Sequence, residues 1–363
     1  MKHPLREPLR SASMLDFREL FRSDTPLIDV RAPIEFHEGH FPSSVNLPLM
    51  NDEERAAVGT RYKEAGQTEA LKLGHDLVSG DRRESRIDAW VGFLKQHTDA
   101  WLYCFRGGLR SQISVSWIEE RGLRVPFVPG GYKALRRFLL ETLEKESIKR
   151  KLLVVGGRTG SGKTLILNAT TLPSIDLEGA ANHKGSSFGK MGPQPAQITF
   201  ENRVAIQLLK HDPAPVTLVE DESVMIGSCV VPRALKDSMN QAAILLLEIP
   251  MEERIRNIFE GYVLERFHSH AGDRHAVAKF MQDSLERISK KLGGLETARI
   301  RGLIDAAFQI DGEPVLDLHR PWIEALLLRY YDPVYDRSIA KNLDRIAFRG
   351  DARSCINYLK GLK

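Results

Sequence analysis

The segment Gly157-Arg158-Thr159-Gly160-Ser161-Gly162-Lys163-Thr164 fits the pattern G-x-x-x-x-G-K-[ST] and lies between the apolar run Leu152 to Val155 and the stretch Leu165 to Asn168. A strand that empties into a glycine-rich turn and then a helix constrains the fold strongly, because the backbone must bend round an anion with its N–H groups turned inward. Gly157, Gly160, Ser161 and Gly162 would shape that cradle, Lys163 would bring a point charge to phosphate oxygens, and Thr164 is placed to hold a magnesium ion. Buried-strand signals at Val216 to Val219 and Ala243 to Ile249 alternate with helical stretches, which predicts a parallel α/β sheet. The first of these runs ends in Glu220-Asp221-Glu222-Ser223, where a carboxylate orienting magnesium or its waters would stand. Asp221 and Glu222 are the candidates, with Thr164 and Asp221 as prospective metal ligands. The pattern reports a polyphosphate and no more, since ATP, GTP and an organic diphosphate present the same oxygens.

Upstream, Pro26 to Val30 and Ala100 to Cys104 read as short strands, and the second runs into Arg106-Gly107-Gly108 followed by the helically spaced Ser111 to Trp117. Cys104 thus ends a strand at the head of a glycine-containing loop. Loop N–H groups, a helix N-terminus, Arg106 and Arg110 would favour a thiolate there and form a nest for an oxyanion. Cys229, in an apolar run, and Cys355, near the end of the chain, read as packing residues. Three cysteines, far apart and odd in number, fit a reducing compartment better than a disulfide framework. Between the two strands, Asn51 to Arg86 is polar, charged and helical in pattern, and is long for a plain connection; it reads as an insertion facing a partner.

At 363 residues the chain exceeds one ordinary core, and about 150 residues per domain predicts two. The charged segment at Glu144 to Lys151 places the boundary, giving an α/β domain at 1–145, a P-loop NTPase-like parallel α/β domain at 146–320 and a helical C-terminal extension at 321–363. Hydrophobic residues at 42% and charged residues at 28% fit a water-soluble protein, and no apolar run approaches the roughly 20 residues of a membrane span. Met1 to Phe17 lacks the continuous apolar core of a secretory signal, so the expected location is cytoplasmic. A net charge of +4 permits an anionic partner without requiring one. Lys133, Arg136, Arg137 and Lys149 to Lys151 gather near the boundary, where such a run is more often a solvated helix and linker. Arg136, Arg137, Asn182, His183 and Lys184 are the candidates for RNA contact, the last three in a polar, glycine-flanked loop. The stretch Tyr330 to Tyr335 could stack on bases, but core packing is the preferred reading.

Asp29-Val30-Arg31, Glu35-Phe36, Gly39-His40-Phe41-Pro42, Asn46-Leu47-Pro48 and the Cys104 loop together resemble a rhodanese domain. The likeness covers roughly the first 135 residues. It departs in loop length: five residues separate Cys104 from Arg110, one more than the common rhodanese loop, a spacing also similar to cysteine phosphatases. Length alone leaves persulfide chemistry, phosphate-ester cleavage and a selenium donor open. The combination of this loop with a P-loop domain resembles the tRNA 2-selenouridine synthases. Glu54 to Thr60 with Tyr62 and Lys63, Leu177 to Gly189, and Glu220 to Ser223 are similar to segments of that family.

The resemblance implies replacement of sulfur by selenium in 2-thiouridine at the wobble position of tRNAs reading lysine, glutamate and glutamine codons. It implies two steps, S-geranylation with geranyl diphosphate and then displacement of the geranylthio group by selenium from selenophosphate, with selenophosphate synthetase as a further partner. On that reading the P-loop binds the diphosphate and Cys104 with Arg106 and Arg110 serves selenation. Either Cys104 carries selenium as a perselenide or its loop only cradles selenophosphate. Two competing readings stand beside it: an ATP-dependent kinase or hydrolase with an attached sulfurtransferase domain, and a non-enzymatic sensor with two anion pockets.

Overall fold

The computed structural model describes residues 16–211 and 215–362; the reading of Met1 to Phe17 as free of a secretory signal falls outside them up to residue 15. The chain divides into two compact units. One comprises Met1–Lys145 with Ala196–Lys210, the other Glu146–Pro195 with His211–Lys363.

The first unit is built on three short parallel strands, β1 (Leu27–Asp29), β2 (Ser44–Asn46) and β3 (Trp101–Tyr103), in the order β2-β1-β3. Ile28 pairs with Val45 on one side and Leu102 on the other. β1 is buried throughout, as expected of a parallel strand covered on both faces, and Ile28, Ile87, Trp90, Leu102 and Ile118 are fully enclosed. Arg31 is buried too, and tolerably so: it pairs with Asp29 at 2.6 Å, donates to the Gly39 carbonyl at 2.8 Å and lies 3.8 Å from the centre of the Tyr132 ring. The stretch after Asn51 is helical as expected, forming helices Asp52–Leu77 and Gly80–Gln96. The first is nucleated by a reciprocal cap, Glu54 N–H to Asn51 Oδ1 and Asn51 N–H to Glu54 Oε2, both 2.8 Å. It breaks its regular path at Gly66, where φ is +81°. The helix Gln197–Lys210 completes the unit: Asn202 Nδ2 donates to the His40 carbonyl at 2.8 Å, and the His40 N–H donates to Thr199 Oγ1 at 3.2 Å.

The second unit holds the parallel strands β4 (Leu152–Gly157), β5 (Ser174–Ile175), β6 (Thr217–Glu220), β9 (Ala243–Leu247) and β10 (Ile346–Gly350), in the order β10-β9-β4-β6-β5. A small antiparallel pair, β7 (Met225–Ile226) and β8 (Cys229–Val230), sits apart. The C-terminal region, expected to be mostly helical, is so, but it also supplies the edge strand β10. Its five residues alternate half-buried and exposed, a period-two pattern too short to stand out in a helical surrounding. Cys355 and Cys229 are buried as packing residues, and none of the three cysteines forms a disulfide. Tyr330 and Tyr331 pack against a helical core around Met281, Ile300 and Trp322, the preferred reading for that stretch. Among the described residues no helix is long and apolar enough to cross a membrane.

Candidate functional site

β4 delivers the chain into the glycine-rich loop, and Gly160 and Gly162 adopt φ near +80°, a region closed to most side chains. A Cβ on Gly160 would stand 2.7 Å from the Arg254 carbonyl. The N–H groups of Gly160, Gly162, Lys163 and Thr164 find no acceptor among the described residues, so the loop presents a row of free donors. Its own carbonyls are held from a distance. Arg254 Nε donates to the Thr159 carbonyl at 2.9 Å while its guanidinium pairs with Asp332, and Asn257 Nδ2 donates to the Gly160 carbonyl at 2.9 Å.

Lys163 faces acids. Burial disfavours its ammonium, yet Tyr335 and the carboxylates of Glu222, Glu178 and Glu220 hold its pKa above the ordinary lysine value. Oxygens of those three glutamates all lie within 4.8 Å of one another. Thr164 Oγ1 donates to Glu220 Oε1 at 2.7 Å, whereas the fully buried Glu220 Oε2 makes no hydrogen bond of ordinary geometry. Burial and the neighbouring negative charge push the Glu178 and Glu222 carboxyls up, so this pair keeps a proton that exposed glutamates would have lost. Gly185 covers the cluster, since a Cβ there would meet Glu178 Oε1 at 2.7 Å and Glu222 Oε2 at 2.8 Å.

The second loop is assembled from β3. Cys104 is buried at its end, and the N–H groups of residues 106 to 111 find no acceptor among the described residues. The helix Gly131–Lys149 clamps the loop, Tyr132 N–H donating to the Cys104 carbonyl at 2.9 Å and Lys133 N–H to the Phe105 carbonyl at 3.1 Å. At Gly131, φ +56°, a Cβ would collide with the Cys104 carbonyl oxygen at 2.2 Å. Ser111 Oγ is buried without a partner. The two arginines differ. Arg110 forks onto Glu35, at 2.6 Å and 3.2 Å, and despite burial that bond holds the Glu35 carboxyl below the ordinary range. Arg106 is exposed, its guanidinium carbon 5.9 Å from the Phe105 ring centre, with no acid partner among the described residues. Such a loop can hold a bare oxyanion over a thiol.

Residues 150–363 match the model of the tRNA 2-selenouridine synthase AAA domain. A tRNA 2-selenouridine synthase of Shewanella halifaxensis (strain HAW-EB4) is 44% identical over 355 residues, 95% of this chain and 97% of its own. One from Pseudomonas fluorescens (strain Pf0-1) is 46% identical over 361 residues, 96% of this chain and 98% of its own. The chain belongs to the tRNA 2-selenouridine synthase family. Among solved structures, the N-terminal domain of a Clostridium difficile 630 protein named for ATP/GTP binding shares 30% identity, over 37% of this chain and 98% of that one, with a TM-score of 0.30.

In this member of the selenouridine synthase family the carboxylate that meets Thr164 is Glu220. Asp221 stands outside the three-glutamate cluster, with its N–H bound to the Val155 carbonyl at 3.1 Å. Glu222 returns to the cluster through a tight turn, its N–H donating to the Glu220 carbonyl at 2.9 Å. Of the residues considered for RNA, Arg136 is engaged with Glu201 and with Asn202 Oδ1 at 2.7 Å. Asn182 Nδ2 donates to the Pro193 carbonyl at 2.9 Å, and Lys184 Nζ binds the Gly261 carbonyl at 2.8 Å and Glu265 at 2.5 Å. His183 is buried, and burial with Arg287 and Lys190 nearby lowers its pKa, keeping it neutral. Arg137 is exposed. Arg254 and Asn257 carry no local motif, and only the contacts of the folded chain single them out; Glu35 and Glu178 fall within segments that carry the family resemblance, but their partners are visible only in the folded chain.

Proposed function

We propose that the protein is a tRNA 2-selenouridine synthase acting at the wobble 2-thiouridine through an S-geranyl intermediate. The observation that carries the reading is near full-length similarity to proteins of that name, with both anion-binding loops intact. The same similarity speaks against the kinase or hydrolase alternative.

In the first step the thiouridine sulfur attacks the first carbon of geranyl diphosphate. A sulfur–carbon bond forms, the carbon–oxygen bond breaks, pyrophosphate departs with the electron pair, and the ring nitrogen loses its proton. The free N–H groups of the P-loop and Lys163 bind the diphosphate. Magnesium suits the all-oxygen donor set of Thr164, Glu220 and Glu222, Glu220 Oε2 being buried and unsatisfied; when bound it would offset the negative charge of the leaving group. In the second step selenium from selenophosphate attacks the same ring carbon that bears the geranylthio group, geranylthiol leaves, and water takes up the phosphoryl group as phosphate. Selenium enters and leaves at the selenide level, so the exchange needs no oxidant or reductant. A perselenide on Cys104 would need both, which favours the loop as a cradle for selenophosphate with the Cys104 thiol at its base and Arg106 as the free cation.

The first unit fits a rhodanese-like ancestry, the acceptors are tRNAs for lysine, glutamate and glutamine, selenophosphate synthetase supplies the donor, and the setting is the cytoplasm. Mass spectrometry of wobble nucleosides from cells lacking the gene tests the reading. 2-Selenouridine should vanish and 2-thiouridine remain; unchanged 2-selenouridine would refute it.

A further inference from the structure

A large cavity in the first unit reaches the Cys104 loop through Arg110 but is otherwise lined by residues without a role so far. It is a cleft of about 720 Å³ walled by the helix Asp52–Leu77 on one side and by the start of the helix Leu109–Glu119 on the other. Its volume falls within the roughly 300–1,000 Å³ of small-ligand sites. The wall is unusual for a helix of this length. Over 26 residues only Glu54 and Ala70 are buried; Val58 and Leu71 line the cleft half-buried, and Tyr62 is 57% exposed. The helix is kinked at Gly66, within the stretch that lines the cleft. The floor is apolar, with Leu49, Val78, Ile113 and Trp117.

Charge defines the occupant. Arg55, Lys63 and Arg110 all line the cleft, and no aspartate or glutamate does. Arg110 is oriented by Glu35 at 2.6 Å and Arg55 lies near the same carboxylate at 3.9 Å, whereas Lys63 has no acid partner among the described residues. Three cations over an apolar floor with an exposed tyrosine form a site for an anion that carries a flat, apolar body. A single unstacked nucleotide has that chemistry: its phosphates meet lysine and arginine, its base stacks on an aromatic ring. Leu109 and Arg110, which line the cleft, open the helix that follows the Cys104 loop.

We propose that this cleft receives the target nucleotide of the RNA, its base against Tyr62 and the apolar floor and its flanking phosphates on Arg55 and Lys63. The assignment rests on the RNA-modifying role proposed above and moves the contact surface away from Arg136, Asn182 and Lys184, whose side chains are engaged within the protein.

Gly59 lines the cleft, and a Cβ built there meets nothing within 4 Å, so a side chain introduced at this position starts in open space at the cleft. An anticodon stem-loop RNA with 2-aminopurine at the wobble position, titrated into the full chain, reports both affinity and unstacking. Wild type should bind it with a rise in 2-aminopurine fluorescence that is then quenched by stacking in a Tyr62-dependent way. Gly59→Trp and Lys63→Glu should each weaken binding on the order of tenfold, and Lys63→Glu should also lower the salt dependence by about one counterion. Gly59→Ala should bind as wild type and thermal melting of all variants should stay unchanged. Failure of the wild type to bind any tRNA would strike the RNA-modifying role itself. Wild-type binding with Gly59→Trp and Lys63→Glu unaffected would overturn the cleft alone, as would a plug that blocks a protein partner while leaving RNA affinity intact.

Discussion

The two loops both meet an anion, and they differ in what stands behind it. Around Lys163 the chain places three glutamates, and the loop's carbonyls are fixed by Arg254 and Asn257 from almost a hundred residues away. The Cys104 loop has no acid of its own; the nearest, Glu35, is already matched by Arg110. Negative charge beside the P-loop repels a bare polyphosphate unless a proton or a cation compensates, because attraction and repulsion in a poorly solvated pocket are only weakly screened. The cysteine loop can take a bare anion. Two cradles that look alike in sequence are therefore suited to different ligands, one accompanied by a cation and one not.

The comparison breaks most readily at the thiol. Cys104→Ala removes the single cysteine set in an anion-binding loop, while the P-loop remains as it was. Selenium incorporation should fall roughly 100-fold or more, the scale of losing a group that acts at the reacting centre, and S-geranyl-2-thiouridine should accumulate in nucleoside digests. Selenation at the normal rate would mean that the loop's backbone alone suffices.

Lys163→Ala tests the other side of the comparison with a smaller expected effect, because the free N–H groups persist. Geranylation of 2-thiouridine RNA should drop on the order of tenfold, the cost of a charge-assisted phosphate contact. RNA supplied already geranylated should still be selenated at the wild-type rate, and magnesium dependence should appear only in the first step. Equal loss of both steps in a folded variant would show that the two loops do not divide the work.

What could be read from the residues follows the same contrast. The P-loop and the cysteine loop were legible because each is a contiguous pattern, and the strands feeding them are short apolar runs found at the expected places, Leu152–Gly157 and Trp101–Tyr103. Glu220 was passed over for Asp221, since a run of three acids says nothing about which carboxylate a tight turn will bring back to Thr164. Arg254 and Asn257 lie in unremarkable helical sequence, and their roles exist only through long-range contacts; Glu178 falls in a segment that carries the family resemblance, yet nothing in that segment ties it to the P-loop. The strand Ile346–Gly350 was hidden by its helical neighbours. Within the basic cluster, Arg136 belongs to an ion pair whose partner, Glu201, lies 65 residues away: sequence shows a charge but not its neutralisation.

The smallest expected effect sharpens the account of the P-loop acids. Burial first, then Glu220 and Glu222, raise the Glu178 carboxyl to about 9, whereas the unfolded chain ionises it near about 4.3. Between those values the native state holds a proton that the unfolded state has released, so stability must fall as pH rises through that window and level off above it. Glu178→Gln keeps the shape and hydrogen-bonding capacity but cannot ionise. Its melting temperature should match wild type near pH 5 and exceed it progressively toward pH 9, by several degrees given about 2–4 °C per kcal/mol for a unit of this size. Magnesium added at pH 9 should narrow the gap by stabilising the ionised wild-type cluster. A gap that is constant with pH would show that the three glutamates are charged throughout and that the cation, rather than a proton, is the resident partner of the P-loop.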